Sequence, residues 1–313
     1  MSLTVVASEM HDLVLCLLRH TFGSHVELVG YSIGNQRPDY IVLLADLARP
    51  TVRIAIKLAG PNASSVYPFD RAAMLHTLVQ AQTTIPMPDI IAVDTSYQRW
   101  PWRYLIKTYI PGQEWIRVRS HLNPHELQTA YQQLGHAIAQ LHTIHFPTFG
   151  ELTVDGRVQG STEFVAALTQ RAHISIQSPY LRQVFSEVVT RYEHLFSDLC
   201  PAHLCHEDLH GHNILMHRQK GQWRIATILD FDKAWAGHHE TDLARLDLWT
   251  GMIGTGFWDA YKSVLPVAPL YLQRRPIYQL LWCFEYAAST PKHLADTQRV
   301  CRQLGITPIE QFE

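Results

Sequence analysis

The sequence predicts a two-lobed α+β protein, with a mostly antiparallel sheet plus helix in residues 1–110 and a mainly helical part in residues 111–313. Three observations carry this reading. Short apolar runs with period-two alternation crowd the stretch before Gly112, and Pro111-Gly112 punctuates the chain. Behind that break, apolar residues recur at three- and four-residue steps. With 47% hydrophobic and 17% charged residues among 313, the chain can bury a sizeable core.

In chain order, residues 8–20 read as an amphipathic helix that Ser8 can cap, with Leu13, Val14, Leu17 and Leu18 as its apolar stripe. Strands follow at Val26–Val29, Tyr40–Leu44 and Val52–Leu58. In the third, Val52, Ile54, Ile56 and Leu58 alternate onto one face and leave Arg53, Ala55 and Lys57 on the other. Gly30–Asn35 reads as a turn, either a plain hairpin or one whose backbone N–H groups cover phosphates, with Ser32 its nucleotide-binding candidate. A helix at Phe69–Gln82 is broken by Thr84–Asp89, and strands at Ile90–Val93 and Arg103–Tyr109 complete a sheet of about five. Pro124–Ile144 is a long amphipathic helix, 146–160 reads as a loop, and Thr162–Asp198 is helical. Two strand-like runs, Asn213–Met216 and Arg224–Leu229, precede helices at Asp242–Trp249, Gly256–Val264, Pro276–Ala288 and His293–Leu304.

Charge excludes one partner class. Twenty-six basic and 28 acidic residues leave a formal charge of −2, which is no footprint for nucleic acid. No apolar run reaches the roughly 18–20 residues a bilayer requires. Five cysteines without a C-x-x-C pair favour a reduced compartment, so the expected location is cytoplasmic.

The chemistry concentrates in Leu204–Leu215 and Leu229–Asp232. Phosphoryl transfer needs a carboxylate at the acceptor hydroxyl, oxygen ligands for Mg²⁺ and a cation on the donor phosphates. Asp208 and Asn213 have the D-x-x-x-x-N spacing of a kinase catalytic loop, His206 stands where H-R-D has its histidine, and Asp230 begins Asp-Phe-Asp where kinases carry D-F-G. Ile54-Ala55-Ile56-Lys57 is close to the V-A-I-K strand whose lysine pairs with nucleotide phosphates. In these roles Asp208 faces the acceptor, Asn213 and Asp230 supply metal oxygens, and Lys57 holds phosphate. One lysine on a strand is by itself an ordinary surface residue; the four groups in order are far more specific.

Together these motifs resemble the aminoglycoside phosphotransferase and choline kinase family, the small-molecule branch of the protein-kinase-like fold. His206–Leu215 resembles H-G-D-x-H-x-x-N-x-L, with Glu207 in place of the usual glycine. Ile85–Ile90 resembles the V-P-V-P-E-V entry to the fourth strand, and Tyr104–Ile106 leading to Ile110-Pro111-Gly112 resembles the hinge. Leu134-Gly135, Ala139, Leu141 and His142 resemble L-G-x-x-L-A-x-L-H; Gly237 with Asp242-Leu243-Ala244 resembles G-x-x-x-x-D-L-A. The resemblance implies transfer of the γ-phosphate of ATP or GTP, with Mg²⁺, to a small hydroxyl-bearing acceptor. It implies purine contacts from backbone near Thr108 and Ile110, Asp208 as base, Asn213 and Asp230 as Mg²⁺ ligands, and Lys57 on phosphate. Asp242 would bond backbone in the catalytic loop. It also implies a nucleotide-binding lobe over 1–110 and a catalytic, acceptor-binding lobe over 111–313.

Three departures stand out. The helix glutamate that usually holds the lysine is replaced by Arg71, with Asp70 beside it; Lys107 sits where an apolar residue usually backs the purine; and Glu207 adds a charge beside Asp208. The first of these motivates an alternative, a catalytically weak nucleotide-binding pseudokinase. A further alternative is a zinc hydrolase, because His206–His210 spells H-E-x-x-H. Against it, Gly211 follows directly, the next residues are strand-like, and no third histidine stands at the metzincin spacing. His203, His212, His217, His238 and His239 read as polar loop residues. The acceptor is expected against the helices after Gly256. There a Trp282–Glu285 pair reads either as core tryptophan with surface glutamate or as a site for a cationic acceptor. Aminoglycosides, macrolides, sugars and amino alcohols all remain open as acceptors.

Overall fold

The computed structural model describes residues 7–37, 40–60, 69–98, 100–197, 199 and 201–312, and the chain divides into two compact units. The first comprises residues up to 81, 86–111 and 154–156; the second holds 82–85, 112–153 and 157–313.

In the first unit, five antiparallel strands lie in the order Glu27–Gln36, Ile41–Arg49, Val52–Ala59, Arg103–Thr108, Ile90–Asp94. Period-two alternation sends their side chains to opposite faces. Leu43, Ile54, Ile56, Tyr104 and Ile106 pack with Val14, Leu17 and Leu18 of the helix Ala7–Phe22. Ala59 and Leu105 meet Phe69, Ala72 and Ala73 of the helix Phe69–Gln82. Lys57 belongs to this second face, as the alternation predicts. The first helix already includes Ser8, whose side chain lies outside the described residues.

One expectation fails here. Gly30–Asn35 is not a turn but the middle of a strand running from Glu27 to Gln36, with Ser32 opposite Leu44. The strand is irregular between Leu28 and Gly30 and between Ile33 and Asn35. Bulges of this kind let glycine and polar residues continue a strand where their composition reads as a turn. The connection to the next strand comes later, where the Arg37 amide donates to the Tyr40 carbonyl.

The second unit is built on the helix Pro124–Leu141, which opens with a capping box. The Glu126 amide donates to Asn123 Oδ1 at 2.9 Å, and the Asn123 amide to Glu126 Oε2 at 3.2 Å. Gly135 lets the short helix Phe257–Lys262 lie directly on it, since a methyl group there would run into the Phe257 carbonyl. Further helices span Phe164–Ser175, Pro179–Arg191, Glu240–Leu248, Tyr271–Tyr286 and Pro291–Gln303.

Residues 146–160, expected as a loop, contribute strands instead. His145–Phe146, Phe149–Leu152 and Val158–Ser161 join Ala202–Cys205 and Trp235–Gly237 in a five-stranded sheet. These strands have two to four residues, too few to show alternation, and two of their neighbours are remote in sequence. Gly150 faces Gly160 across one pair, so the strands approach closely with no side chain to signal it. A second sheet pairs Gln222–Ile228, Ile214–Gln219 and Gln113–Glu114. Cys16, Cys205, Cys283 and Cys301 are free thiols, and Cys200 lies outside the described residues. No described helix is long and apolar enough to cross a membrane.

Candidate active site

The fully buried strand Ala202–Cys205 delivers His206-Glu207-Asp208 to its end. Asp242, near the start of the helix Glu240–Leu248 and completely buried, fixes that segment. Its carboxylate accepts from the amides of His206 at 2.7 Å and Glu207 at 2.8 Å, and from His142 Nε2 at 3.0 Å. This is the backbone role expected of Asp242. The His206 ring adds a second tie: its Nε2–H donates to the Leu229 carbonyl at 2.8 Å, while Nδ1 accepts from the Asp208 amide at 3.2 Å. Through Leu229 the loop is joined to the segment carrying Asp230.

Asp208 and Asn213 are in direct contact. Asn213 Nδ2 donates to the Asp208 carbonyl at 2.9 Å and reaches its Oδ2 at 3.4 Å. With Nδ2 committed, the amide oxygen of Asn213 is the group left for a cation. The Leu229 amide donates to the Asn213 carbonyl at 2.7 Å, which brings the neighbouring Asp230 to the same end of the hairpin. Asp230 itself has left-handed backbone, φ 66°, at the strand end. An amide oxygen and a carboxylate are the hard donors Mg²⁺ takes, so this pair fits the expected metal.

Two cations and an imidazole, none of them assigned a role from the sequence, surround Asp208. His210 Nε2 lies 3.7 Å from Oδ2, Arg245 Nη1 3.9 Å from Oδ1 and Lys233 Nζ 4.0 Å from Oδ1. Burial works to raise the Asp208 carboxyl; the hydrogen bond with His210 and the charges of Lys233 and Arg245 prevail and hold it well below the usual carboxylate range. Arg245 was legible in part, because it stands three residues after Asp242 and so shares its helix face. Lys233 follows Asp230 by three residues in a short 3₁₀ turn that carries no periodic signal.

Lys233 and Arg245 converge again on Glu285, at 3.0 Å and 3.2 Å. Glu285 is therefore not a surface residue: its side chain is 8% exposed. Trp282 is buried, edge-on to Trp249 and stacked on Tyr286, and Trp249 in turn meets His210. The expectation of core tryptophan with surface glutamate holds for the tryptophan alone, because the glutamate neutralises the buried Arg245 and the half-buried Lys233 from two other elements.

Glu207, the departure from glycine, has φ 61°, a conformation in which glycine is unstrained and other residues cost roughly 1 kcal/mol or more. Its side chain points into the protein. Oε1 accepts from Trp235 Nε1 at 3.0 Å and from the Thr241 hydroxyl, and Oε2 lies 3.6 Å from Arg245. Burial raises its carboxyl against the pull of Arg245. Glu207 is thus a buried brace that Asp208 does not touch. Replacing it by glycine relieves the backbone yet strands the Trp235 and Thr241 donors, so Glu207→Gly is expected to destabilise the fold by about 1–3 kcal/mol. Urea unfolding checks this; an increase in stability would show the strain to outweigh the brace.

The H-E-x-x-H reading is overturned by local geometry. Residues 206–210 are not helical, and the His206 ring is committed to Leu229 and Asp208. The loop assignment of two other histidines is corrected as well: His203 lies on the strand Ala202–Cys205 and His217 on Ile214–Gln219. His238 and His239 do lie between strand and helix, but like His203 they are about 3% exposed.

Asp208, Asp242 and Glu285 share one acid–base property. Burial opposes ionisation of each, but His210, Lys233 and Arg245 (Asp208), His142 and His206 (Asp242) and Arg245 and Lys233 (Glu285) keep their carboxyls low. A depressed folded-state pKa contributes stability that is present above the unfolded value of roughly 4 and lost as pH falls through the folded one. The urea midpoint should therefore drop as pH falls below about 4. Glu285→Gln should make that drop shallower; an unchanged slope would remove Glu285 from the account.

In the first unit, Lys57 lies over the rings of Tyr40 at 4.4 Å and Phe69 at 5.5 Å. Asp70 accepts from the Arg71 amide and from Thr95. Thr108 is tied to Asp89 by two hydrogen bonds, its amide donating at 3.0 Å and its hydroxyl accepting at 2.9 Å. The Ile110 amide has no hydrogen-bond partner among the described residues. Lys107 pairs in register with Ala55 and Ile90, and Ser32 is exposed within its strand.

An antiparallel sheet backed by helices, followed by a helical unit with an Asp–Asn–Asp hairpin, defines a protein-kinase-like fold of the small-molecule kinase class. Residues 39–275 match the model of the phosphotransferase enzyme family (APH), and the chain belongs to that family. No curated protein sequence matches. Among solved structures, the chain is similar to APH(2")-IIa in its streptomycin–ATP ternary complex, with 12% identity, a TM-score of 0.64, and coverage of 97% of this chain and 100% of that one. It is similar to a thermostable mutant of aminoglycoside phosphotransferase APH(4)-Ia in ternary complex with ADP and hygromycin B, with 16% identity, a TM-score of 0.62, and coverage of 93% and 96%. A Plasmodium vivax ethanolamine kinase matches at 13% identity and a TM-score of 0.56, over 97% of this chain and 85% of its own. At these identities the likeness is one of fold.

Proposed function

We propose that this phosphotransferase moves the γ-phosphoryl group of ATP or GTP to a hydroxyl of a small molecule, with Mg²⁺, in the cytoplasm. The carrying observation is the contact of Asp208 with Asn213, tied through His206 and Leu229 to the segment of Asp230. Asn213 and Asp230 would hold the metal, which neutralises charge on the phosphates when bound. Asp208, held ionised by its cationic neighbours, accepts the hydrogen bond of the acceptor hydroxyl, orients it and takes its proton as the bond to phosphorus forms. Lys57 engages donor phosphate, and the amide of Ile110, with backbone at Thr108, serves the purine. Ser32 remains a weaker candidate for the phosphates, since it lies in a strand and not a turn. Trp249, backed by the buried Trp282, and His210 offer aromatic surface for the acceptor near Asp208.

The small molecules named for the similar structures, streptomycin and hygromycin B in complexes and ethanolamine in a kinase, carry both hydroxyl and basic nitrogen groups. A coupled turnover screen of aminoglycosides, macrolides, choline-like amines and sugars, run with ATP and with GTP, tests the reaction class and the acceptor together. Nucleotide binding without turnover on any acceptor would favour a binding protein. Asp230→Ala is expected to weaken Mg²⁺–nucleotide binding at least about tenfold, about 1.4 kcal/mol. Affinity equal to wild type in a titration would remove Asp230 from the ligand set.

A further inference from the structure

His203, His238 and His239 lie away from the groups assigned to catalysis, and all three are buried. Each offers one ring nitrogen within 4.8 Å of the others. Their positions follow from the sheet: His203 lies opposite Gly237 in the pairing of Ala202–Cys205 with Trp235–Gly237, and His238 and His239 come next in the chain.

Hydrogen bonds hold one nitrogen of two of these rings. His203 Nδ1 is 2.6 Å from the His142 carbonyl, which only accepts, so Nδ1 bears the proton and Nε2 the lone pair. His239 is held through a chain. Asp242 is bonded to His142 Nε2, and the other nitrogen of that ring, Nδ1, is hydrogen-bonded to the Tyr261 hydroxyl at 2.8 Å. The same hydroxyl is hydrogen-bonded to His239 Nδ1 at 2.8 Å, which leaves Nε2 as the His239 nitrogen available to an ion. His238 Nδ1 is fully buried without a hydrogen-bond partner among the described residues; the Glu240 carboxylate, 3.7 Å away, is engaged by Arg274. Burial also disfavours protonation of all three rings.

Buried imidazoles, two of them with the far nitrogen held by a carbonyl or a hydroxyl group, suit a zinc-class ion, whose histidine ligands are oriented by such supports. We propose that His203, His238 and His239 form a binding site for a divalent ion of the zinc class, with a fourth position open to water. The ion would clamp the strand leading into Asp208 to the turn leading into Asp242. Its link to the catalytic loop is Tyr261–His142–Asp242, ending on the amides of His206 and Glu207.

The test uses the full chain, dialysed against chelator and titrated with Co²⁺ in excess Mg²⁺, which occupies oxygen sites. The expected result is one equivalent of Co²⁺ with intense visible bands of tetrahedral nitrogen coordination, displaced by Zn²⁺. Zinc should also raise the thermal midpoint by roughly 5 °C at saturation. His238→Asn should weaken Zn²⁺ binding at least about 100-fold. Should that variant fail to fold, X-ray absorption of the wild-type protein with one equivalent of zinc decides, with three imidazoles at about 2.0 Å expected. Sub-stoichiometric binding, an oxygen-only shell, or unchanged affinity in folded His238→Asn would overturn the site and leave a packed histidine cluster.

Discussion

Asp208→Asn is expected to lower turnover on the order of 10²–10⁴-fold, the range typical of losing a general base, while nucleotide affinity stays within about twofold. The asparagine keeps the size of the side chain and an oxygen for Asn213 Nδ2, so the loop retains its shape. What it removes is the anion that orients and deprotonates the acceptor hydroxyl. It also leaves Lys233 and Arg245 with one fewer counter-charge, although both keep Glu285. Folding should therefore be little changed, which separates the chemical effect from a structural one. Turnover equal to wild type, measured with nucleotide binding on the same sample, would take Asp208 out of the mechanism.

Asp242→Asn has the larger expected effect on stability, about 3–5 kcal/mol. The carboxylate is fully buried and accepts from two backbone amides and one imidazole. An asparagine presents one oxygen and one NH₂ group, so whichever way it turns, a donor faces a donor where an acceptor stood. The cost falls on the His206 and Glu207 amides or on His142, and so on the segment that presents Asp208. The urea midpoint should fall, and the folded fraction should lose turnover more than nucleotide affinity. An unchanged midpoint would show that the three hydrogen bonds are replaceable.

Much of this protein could be read from local chain chemistry. The strand Val52–Ala59 alternates as expected, because one face is buried against the helix Ala7–Phe22 and period two cannot hide that. Asp208 and Asn213 were legible as a pair because they lie five residues apart in one hairpin entry and bond to each other directly.

Other features depend on elements that meet only after folding. Strands of two to four residues around 145–161 acquire their identity from partners at Ala202–Cys205 and Trp235–Gly237, and carry too few residues to show a period. Gly30–Asn35 has the composition of a turn, but pairing with Ile41–Arg49 makes it a strand. Glu285 looks like a surface glutamate until Lys233 and Arg245 arrive from separate segments to neutralise it. Glu207 tolerates a glycine conformation because Trp235 and Thr241 donate to its carboxylate. His203, His238 and His239 become one cluster because a strand pairing sets Gly237 opposite His203. The sequence alone determined the family, the order of its functional groups and the periodic elements, all of which rest on short-range spacing. Tertiary structure alone decided which charges are neutralised, which histidines are buried and which groups their rings bond, because those depend on neighbours supplied by distant parts of the chain.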